Sequence, residues 1–280
     1  MKEIELSAGT LEYEDTGGEG PVLVLLHGLM MDGSLWDEVV AALSPGHRCL
    51  VPTLPLGAHR RPMRADADLS LSAAARLVGE FLDRLDLSDV TLVGNDTGGA
   101  LVQLVAADGA ARVGRIVLAS CEAFDNYPAR VTGTTLALAG RLPPALFGLF
   151  MQQMRLRPAR RLPVAFGLLT ARGDAATRRW MDPVLTDPGI RRDTVRTLRA
   201  ARSDADRLAA AAGSLRDFDR PALVVWAAGD RVMPPEHGRR LAALLPQGRL
   251  TEISASRTLI PLDRPEELAR AVREFVPARR

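Results

Sequence analysis

Short apolar runs alternate along this chain with longer stretches in which apolar residues return every three or four positions. Pro21 to Leu26 is a continuous apolar run, as required of a parallel central strand whose faces are both covered by helices. Runs of the same kind stand at Arg48 to Val51, Val90 to Val93, Ile116 to Leu118 and Ala222 to Trp226, and Leu250 to Ile253 adds a last strand. Ile4 to Leu6 and Thr10 to Tyr13 read as a hairpin turning at Ala8 and Gly9. From Ser70 to Leu85, residues Leu71, Ala74, Leu77, Val78, Phe81, Leu82 and Leu85 keep helical spacing, with Ser70 placed to cap the first turn. Strands separated by helices in this way predict an α/β protein with a doubly wound sheet.

The alternation stops after Phe124. From Asp125 to Gly213 only helical segments are predicted, punctuated by Pro143, Pro144, Pro158, Pro163, Pro183 and Pro188. The pattern therefore predicts a core of residues 1–124 and 214–280, interrupted by an all-helical lid, 125–213. Such a lid would cover the carboxyl edge of the sheet, where open α/β folds place their ligands.

Composition narrows function more than fold. A hydrophobic content of 47% and a charged content of 25% suit a globular enzyme. The longest apolar stretches, Val22 to Leu26 and Leu142 to Met151, fall short of the roughly 20 residues of a membrane-spanning helix. A net charge of +2, with Lys2 the only lysine, gives no reason to expect a nucleic-acid partner. Cys49 and Cys121 lie in or beside strands without metal-ligand spacing, and are expected as reduced core thiols of a cytoplasmic protein. No phosphate-cradling glycine motif follows the first strand and no metal-ligand cluster is visible, so neither cofactor nor metal is expected. The expected partner is a small apolar molecule, with no nucleic acid and no membrane, and the expected state is a monomer or homodimer.

The chemistry gathers at one strand end. Val90-Thr-Leu-Val-Gly-Asn-Asp-Thr-Gly-Gly-Ala runs from a buried strand through Gly94, Asp96 and Gly98 into a helix spanning Ala100 to Ala107. Small residues two before and two after Asp96 let the backbone turn sharply and lift the central side chain above the sheet. An ordinary glycine-containing turn that binds phosphate is the plainer reading of that spacing alone.

Three further features join this elbow: His27-Gly28 after the third strand, Asp230 after the strand ending at Trp226, and Leu259-Ile-Pro-Leu-Asp-Arg-Pro-Glu-Glu-Leu-Ala near the end. With them the chain resembles the α/β-hydrolase superfamily over nearly its whole length. Its elbow aspartate is most similar to that of haloalkane dehalogenases, epoxide hydrolases and fluoroacetate dehalogenases, which use aspartate as nucleophile. The resemblance implies the α/β-hydrolase fold, a mostly parallel eight-stranded sheet with helices on both faces and an all-helical cap. It also implies an oxyanion hole built from the backbone N–H groups of Leu29 and Thr97. Asp230, or Glu122 in Ser120-Cys-Glu-Ala-Phe, would be the orienting acid. His27 is read as a loop-fixing residue bordering the substrate site and not as a base.

The departure from the family concerns the base. Aligning Asp263-Arg-Pro-Glu with the family's closing motif puts Thr258 where the catalytic histidine belongs, and no histidine follows His237. A threonine hydroxyl hydrogen-bonds but does not take a proton from water near neutral pH. His59, in the loop after the fourth strand, is the candidate substitute. Where many dehalogenases carry halide-binding donors, this chain has Thr97 and Leu29. For protonating an opening epoxide the insertion offers Tyr127 alone.

Without an imidazole, Asp96 and Asp230 share a desolvated space, and burial and mutual repulsion raise carboxylate pKa values. A protonated carboxyl then donates a proton and its conjugate base accepts one. This favours cyclisation, isomerisation or elimination on an apolar substrate of secondary metabolism, with Asp96 as acid–base group or nucleophile. An epoxide hydrolase or dehalogenase using His59, or a non-catalytic ligand-binding protein, are the alternatives. Phe147, Phe150, Met151, Met154, Phe166, Trp180 and Met181 are expected to be mostly core residues with a minority lining a pocket, and Phe147, Met151 and Trp180 are assigned, with His27, Tyr127 and Thr258, to the substrate site. Arg155, Arg157, Arg160 and Arg161 read as a solvated face.

Overall fold

The computed structural model describes residues 1–109 and 111–278. Its strands are β1 (Lys2–Leu6), β2 (Gly9–Asp15), β3 (Val22–Leu26), β4 (Arg48–Pro52), β5 (Val90–Asp96), β6 (Val113–Cys121), β7 (Ala222–Ala227) and β8 (Gly248–Ile253). They form one eight-stranded sheet in the order β1-β2-β4-β3-β5-β6-β7-β8. The β1/β2 and β2/β4 pairings are antiparallel and the others parallel, so the mostly parallel eight-stranded sheet of the sequence reading is borne out.

Helices α1 (Asp37–Leu43), α2 (Leu71–Arg84) and α3 (Thr97–Ala107) link the strands up to β6. Between β6 and β7 the chain is helical, through α4 (Arg130–Ala139), α5 (Pro144–Met151), α6 (Arg157–Arg160), α7 (Asp174–Thr186) and α8 (Pro188–Ser214). Then α9 (Pro235–Leu244) follows β7, and α10 (Ile260–Asp263) and α11 (Pro265–Phe275) close the chain. The Ser70 hydroxyl accepts from the Ala73 N–H and starts α2 as its sequence position predicts. Cys49 and Cys121 are free and buried. Burial holds the Cys49 thiol up at about 12, which keeps it protonated and unreactive.

Strand order decides where ligands bind. The chain passes from β3 outward to β4, then returns to place β5 on the other side of β3. Connections leave β3 and β5 in opposite directions, which opens a crevice at their carboxyl ends. Leu26 pairs with Gly94, so the loop after β3 and the elbow after β5 leave the sheet side by side. Helix α3 is buried on every side, and its start crosses β3 so closely that a Cβ on Gly98 would stand 2.1 Å from the Leu26 carbonyl oxygen. Gly98→Ala is therefore expected to destabilise the fold by about 1–3 kcal/mol through overpacking. A lower urea midpoint with an unchanged m value would record it.

Candidate active site

Asp96 ends β5 and caps α3 with φ +56° and ψ −130°, a conformation that costs a non-glycine residue on the order of 1–3 kcal/mol. Its Oδ1 accepts from the Thr97 N–H at 2.8 Å and the Leu29 N–H at 3.3 Å. The two backbone groups expected as an oxyanion hole thus converge on the carboxylate of Asp96 itself. That convergence needs the loop after β3 to press against the elbow, and a Cβ on Gly28 would lie 2.3 Å from Asp96 Oδ1. His27 holds the loop there. Its Nε2 accepts from the Leu54 N–H at 2.9 Å, so the ring proton sits on Nδ1 and is donated to the Gly28 carbonyl at 2.9 Å. Burial pulls its pKa down to about 4, which keeps the ring neutral and its tautomer fixed.

Glu122 follows β6 and meets Asp96 through one hydroxyl. Thr97 Oγ1 lies 3.1 Å from Asp96 Oδ1 and 3.3 Å from Glu122 Oε1. A threonine hydroxyl has a single proton and cannot donate to two carboxylates at once. Asp96 Oδ1 already accepts two N–H bonds and is the better anion, so the chain is satisfied when Glu122 carries a proton and donates to Thr97. Burial, reinforced by the Asp96 charge, holds the Glu122 carboxyl well above the usual carboxylate range. Burial also raises Asp96, against the opposing pull of its Thr97 and Leu29 hydrogen bonds. The other Glu122 oxygen, Oε2, is buried without a hydrogen-bond partner. Gln103 fixes this residue from below, its Nε2 donating to the Glu122 carbonyl at 2.7 Å.

The carboxyl that shares a hydroxyl with Asp96 is therefore Glu122, while the expected partner Asp230 acts on Asp96 through its charge. Asp230 is buried after β7, and its Oδ1 accepts from the N–H groups of Val232 and Met233, each at 2.9 Å. The same oxygen accepts from the Thr258 hydroxyl at 2.8 Å. Thr258, the residue aligned with the family's histidine, is fully buried and bonded to Asp230. Asn95 secures that loop: its Nδ2 lies 2.8 Å from the Ala119 and Thr258 carbonyl oxygens and 3.2 Å from that of Ser120. Neither Asn95 nor Gln103 was singled out from the sequence. The available signal was a polar residue at the end of an otherwise apolar strand, and another inside a helix that is apolar on all sides.

Above the elbow lies a cavity of about 110 Å³. Asp96, Glu122, Leu29, Met30 and Val232 come from the sheet side, and the remaining wall is supplied by the helical insertion. Phe150, Met151, Met154, Phe166 and Met181 all line it, more of the large soft residues than were expected there.

Several residues expected at the site are elsewhere. Phe147 is a core residue with no exposure. Trp180 is a strut: its Nε1–H points between Asp32 Oδ1, 3.0 Å away, and Ser34 Oγ, 2.9 Å away, tying α7 to the loop after β3. Trp180→Phe is expected to cost about 1.5–3 kcal/mol, the worth of a hydrogen bond to a charged group, and to lower the Tm by several degrees. Tyr127, His27 and Thr258 do not line the cavity. His59 is buried off it, with Nε2 3.5 Å from the Asp193 carboxylate and Nδ1 3.4 Å from the Gly57 N–H. Arg160 is not on the solvated arginine face. It is buried, and donates to the Met154 and Arg155 carbonyls and to Asp174.

A parallel sheet whose switch point presents a strained acidic elbow to a helix-walled cavity defines the α/β-hydrolase class. The family model for the alpha/beta hydrolase fold matches residues 21–265, and the chain belongs to this family. Its sequence is 26% identical over 273 residues to haloalkane dehalogenase 2 of Mycobacterium tuberculosis, covering 96% of this chain and 92% of that protein. It is also 26% identical over 290 residues to the cis-3-alkyl-4-alkyloxetan-2-one decarboxylase of Xanthomonas campestris pv. campestris, covering 98% and 95%. An alpha/beta hydrolase fold protein from Burkholderia ambifaria superposes with a TM-score of 0.78 at 23% identity, covering 98% of this chain and 97% of that one.

Proposed function

We propose that this protein is an enzyme that rearranges a small apolar substrate by carboxyl acid–base chemistry, without water as a reactant. The observation that carries this reading is the Asp96–Thr97–Glu122 chain at the floor of an apolar cavity. Asp96 acts as the base, its Oδ1 held by two N–H groups and its Oδ2 free for the substrate. Glu122 acts as the acid, its protonated form favoured by burial. In an isomerisation, Asp96 removes a proton from carbon while Glu122 delivers one to the substrate oxygen. The Asp96 proton then returns to a different carbon while the new hydroxyl gives its proton back to Glu122, which conserves every substrate atom and restores both carboxyls to their starting states.

Thr258 supports the same reading from the other side. A hydrolytic cycle through an Asp96 ester needs a base to activate water, and the residue bonded to Asp230 is a hydroxyl that cannot serve. Similarity to an oxetanone decarboxylase favours a second, related reading, elimination of a small neutral fragment from a strained ring, which likewise consumes no water.

Infrared difference spectra between the wild type and Glu122→Gln at neutral pH test the acid directly. A protonated carboxyl band in the wild type is expected, and its absence removes the acid from the mechanism. Two probes test the reaction class. A β,γ-unsaturated alkyl ketone in heavy water should shift its double bond and take up deuterium. A bromoalkane in heavy-oxygen water should release no bromide; labelled alcohol in its place would make the protein a hydrolase.

A further inference from the structure

The helical insertion carries an unusual surface. Between Asn126 and Gly173 the chain has seven arginines, of which Arg160 is buried, and no aspartate or glutamate. Among the described residues, every large apolar side chain that stands exposed, apart from Met1 and Leu250, lies between Val131 and Val164. Helix α5 is apolar on all sides, which ordinarily marks a helix buried in a core. Here Phe147 and Met151 face inward, while Leu146, Leu149 and Phe150 point outward, Leu149 being 70% exposed. Leu156 beyond it is 63% exposed. Phe150, Leu162 and Val164 are both exposed and part of the cavity wall, so the apolar surface continues into the cavity.

We propose that this face docks on an anionic lipid surface, with the leucines of α5 and its flank entering the headgroup boundary and the arginines holding lipid phosphates. An apolar substrate dissolved in the bilayer then reaches the cavity through its own mouth without crossing water. Charge selects this occupant. A second copy seated on the same face would oppose arginine to arginine across a two-fold axis, and Asp174, the first acid after the segment, is already paired within the chain. Of the seven arginines, Arg157 and Arg160 pair with Asp174, and the other five make no ion pair among the described residues. Apolar insertion and cationic attraction together are what holds a helix in the membrane interface. No described helix is long and apolar enough to cross a membrane, which suits contact from one side. Periodicity alone offers no reason to expect a membrane partner, because outward leucines on α5 look the same in it as core leucines.

Sedimentation of the full chain with vesicles tests the proposal and is read without turnover, so it stands or falls apart from the Asp96–Glu122 chemistry. Binding is expected to phosphatidylcholine vesicles containing phosphatidylglycerol, and to be at least ten-fold weaker to phosphatidylcholine alone. Leu149→Ser with Leu156→Ser should lower binding on the order of ten-fold or more, as expected for two lost apolar anchors, at an unchanged Tm. Arg141→Glu with Arg155→Glu should abolish the preference for the anionic vesicles. Absence of vesicle binding at low salt overturns the proposal. So does binding insensitive to the leucine pair, a dimer in sedimentation velocity that the leucine pair dissolves, or capture by an acidic carrier protein in preference to vesicles.

Discussion

Asp96→Asn is expected to remove turnover while leaving the fold in place. Asparagine has nearly the same shape, and its carbonyl oxygen accepts the Thr97 and Leu29 N–H groups as Oδ1 does now. What disappears is the negative charge and with it the capacity to take a proton or add to carbon. General-base effects are typically worth about 10²–10⁴ in rate, and loss of a nucleophile costs at least as much, so kcat should fall by roughly 10³ or more. Substrate affinity should change little. Removing the charge also removes the cost of burying it, so the variant's Tm should equal or exceed that of the wild type. Activity within ten-fold of the wild type would move the chemistry elsewhere, and a ligand-binding protein without catalysis would show no loss of biological activity at all.

Glu122→Gln should lower kcat by about 10²–10⁴, because an amide donates a hydrogen bond but does not surrender a proton. The pH profiles separate this role from a structural one. Wild-type activity should decline on the alkaline side as Glu122 loses its proton, and on the acid side as Asp96 gains one. In the variant the alkaline decline should vanish. Stability moves in the opposite direction. The Glu122 pKa is raised above its ordinary 4.5 in the folded state, so the native protein keeps a proton that the unfolded chain has released. Stability therefore falls as pH rises from the unfolded value through the folded one. Glutamine removes that loss, so the Tm gain of the variant should be absent below pH 4.5 and greatest above the folded pKa. A variant that loses both activity and Tm at alkaline pH would make Glu122 a structural residue.

Much of this arrangement was legible in the chain. A parallel strand covered on both faces has to be apolar at every position, and Val22 to Leu26 and Val90 to Val93 declare themselves for that reason. The elbow was equally legible, because the sharp turn at Asp96 demands small residues at fixed offsets, Gly94 and Gly98. The absence of a histidine after His237 needed no coordinates. Harder to see was the partner of Asp96. Glu122 and Asp230 both follow strands that end beside β5 or one strand further out, and either was admissible as the acid. The backbone N–H groups of Val232 and Met233 and the Thr258 hydroxyl take up one Asp230 oxygen, whereas the Glu122 carboxyl meets the Thr97 hydroxyl alone among the described residues.

Helical periodicity likewise could not sort the insertion. It marks which residues share a face, but not whether that face meets a core, a cavity or the outside. Trp180 and Phe147 were therefore expected beside the substrate and turned out to be a strut and a core residue. Phe150, not assigned to the substrate site, lines the cavity and is also exposed. His59 illustrates the same limit, since the loop that carries it ends beside α8, and Asp193 faces its ring.

What the sequence determined by itself was everything governed by local geometry and one-dimensional pattern: the strands, the acidic elbow, the glycines that let backbone meet backbone, and the lack of a histidine after His237. Only the tertiary structure decided which carboxyl shares the Thr97 hydroxyl with Asp96, what Thr258 bonds to, and which apolar residues of the insertion face the cavity. These are contacts between segments far apart in the chain. Their distances follow from how helices pack over the sheet, and no spacing along the chain encodes them.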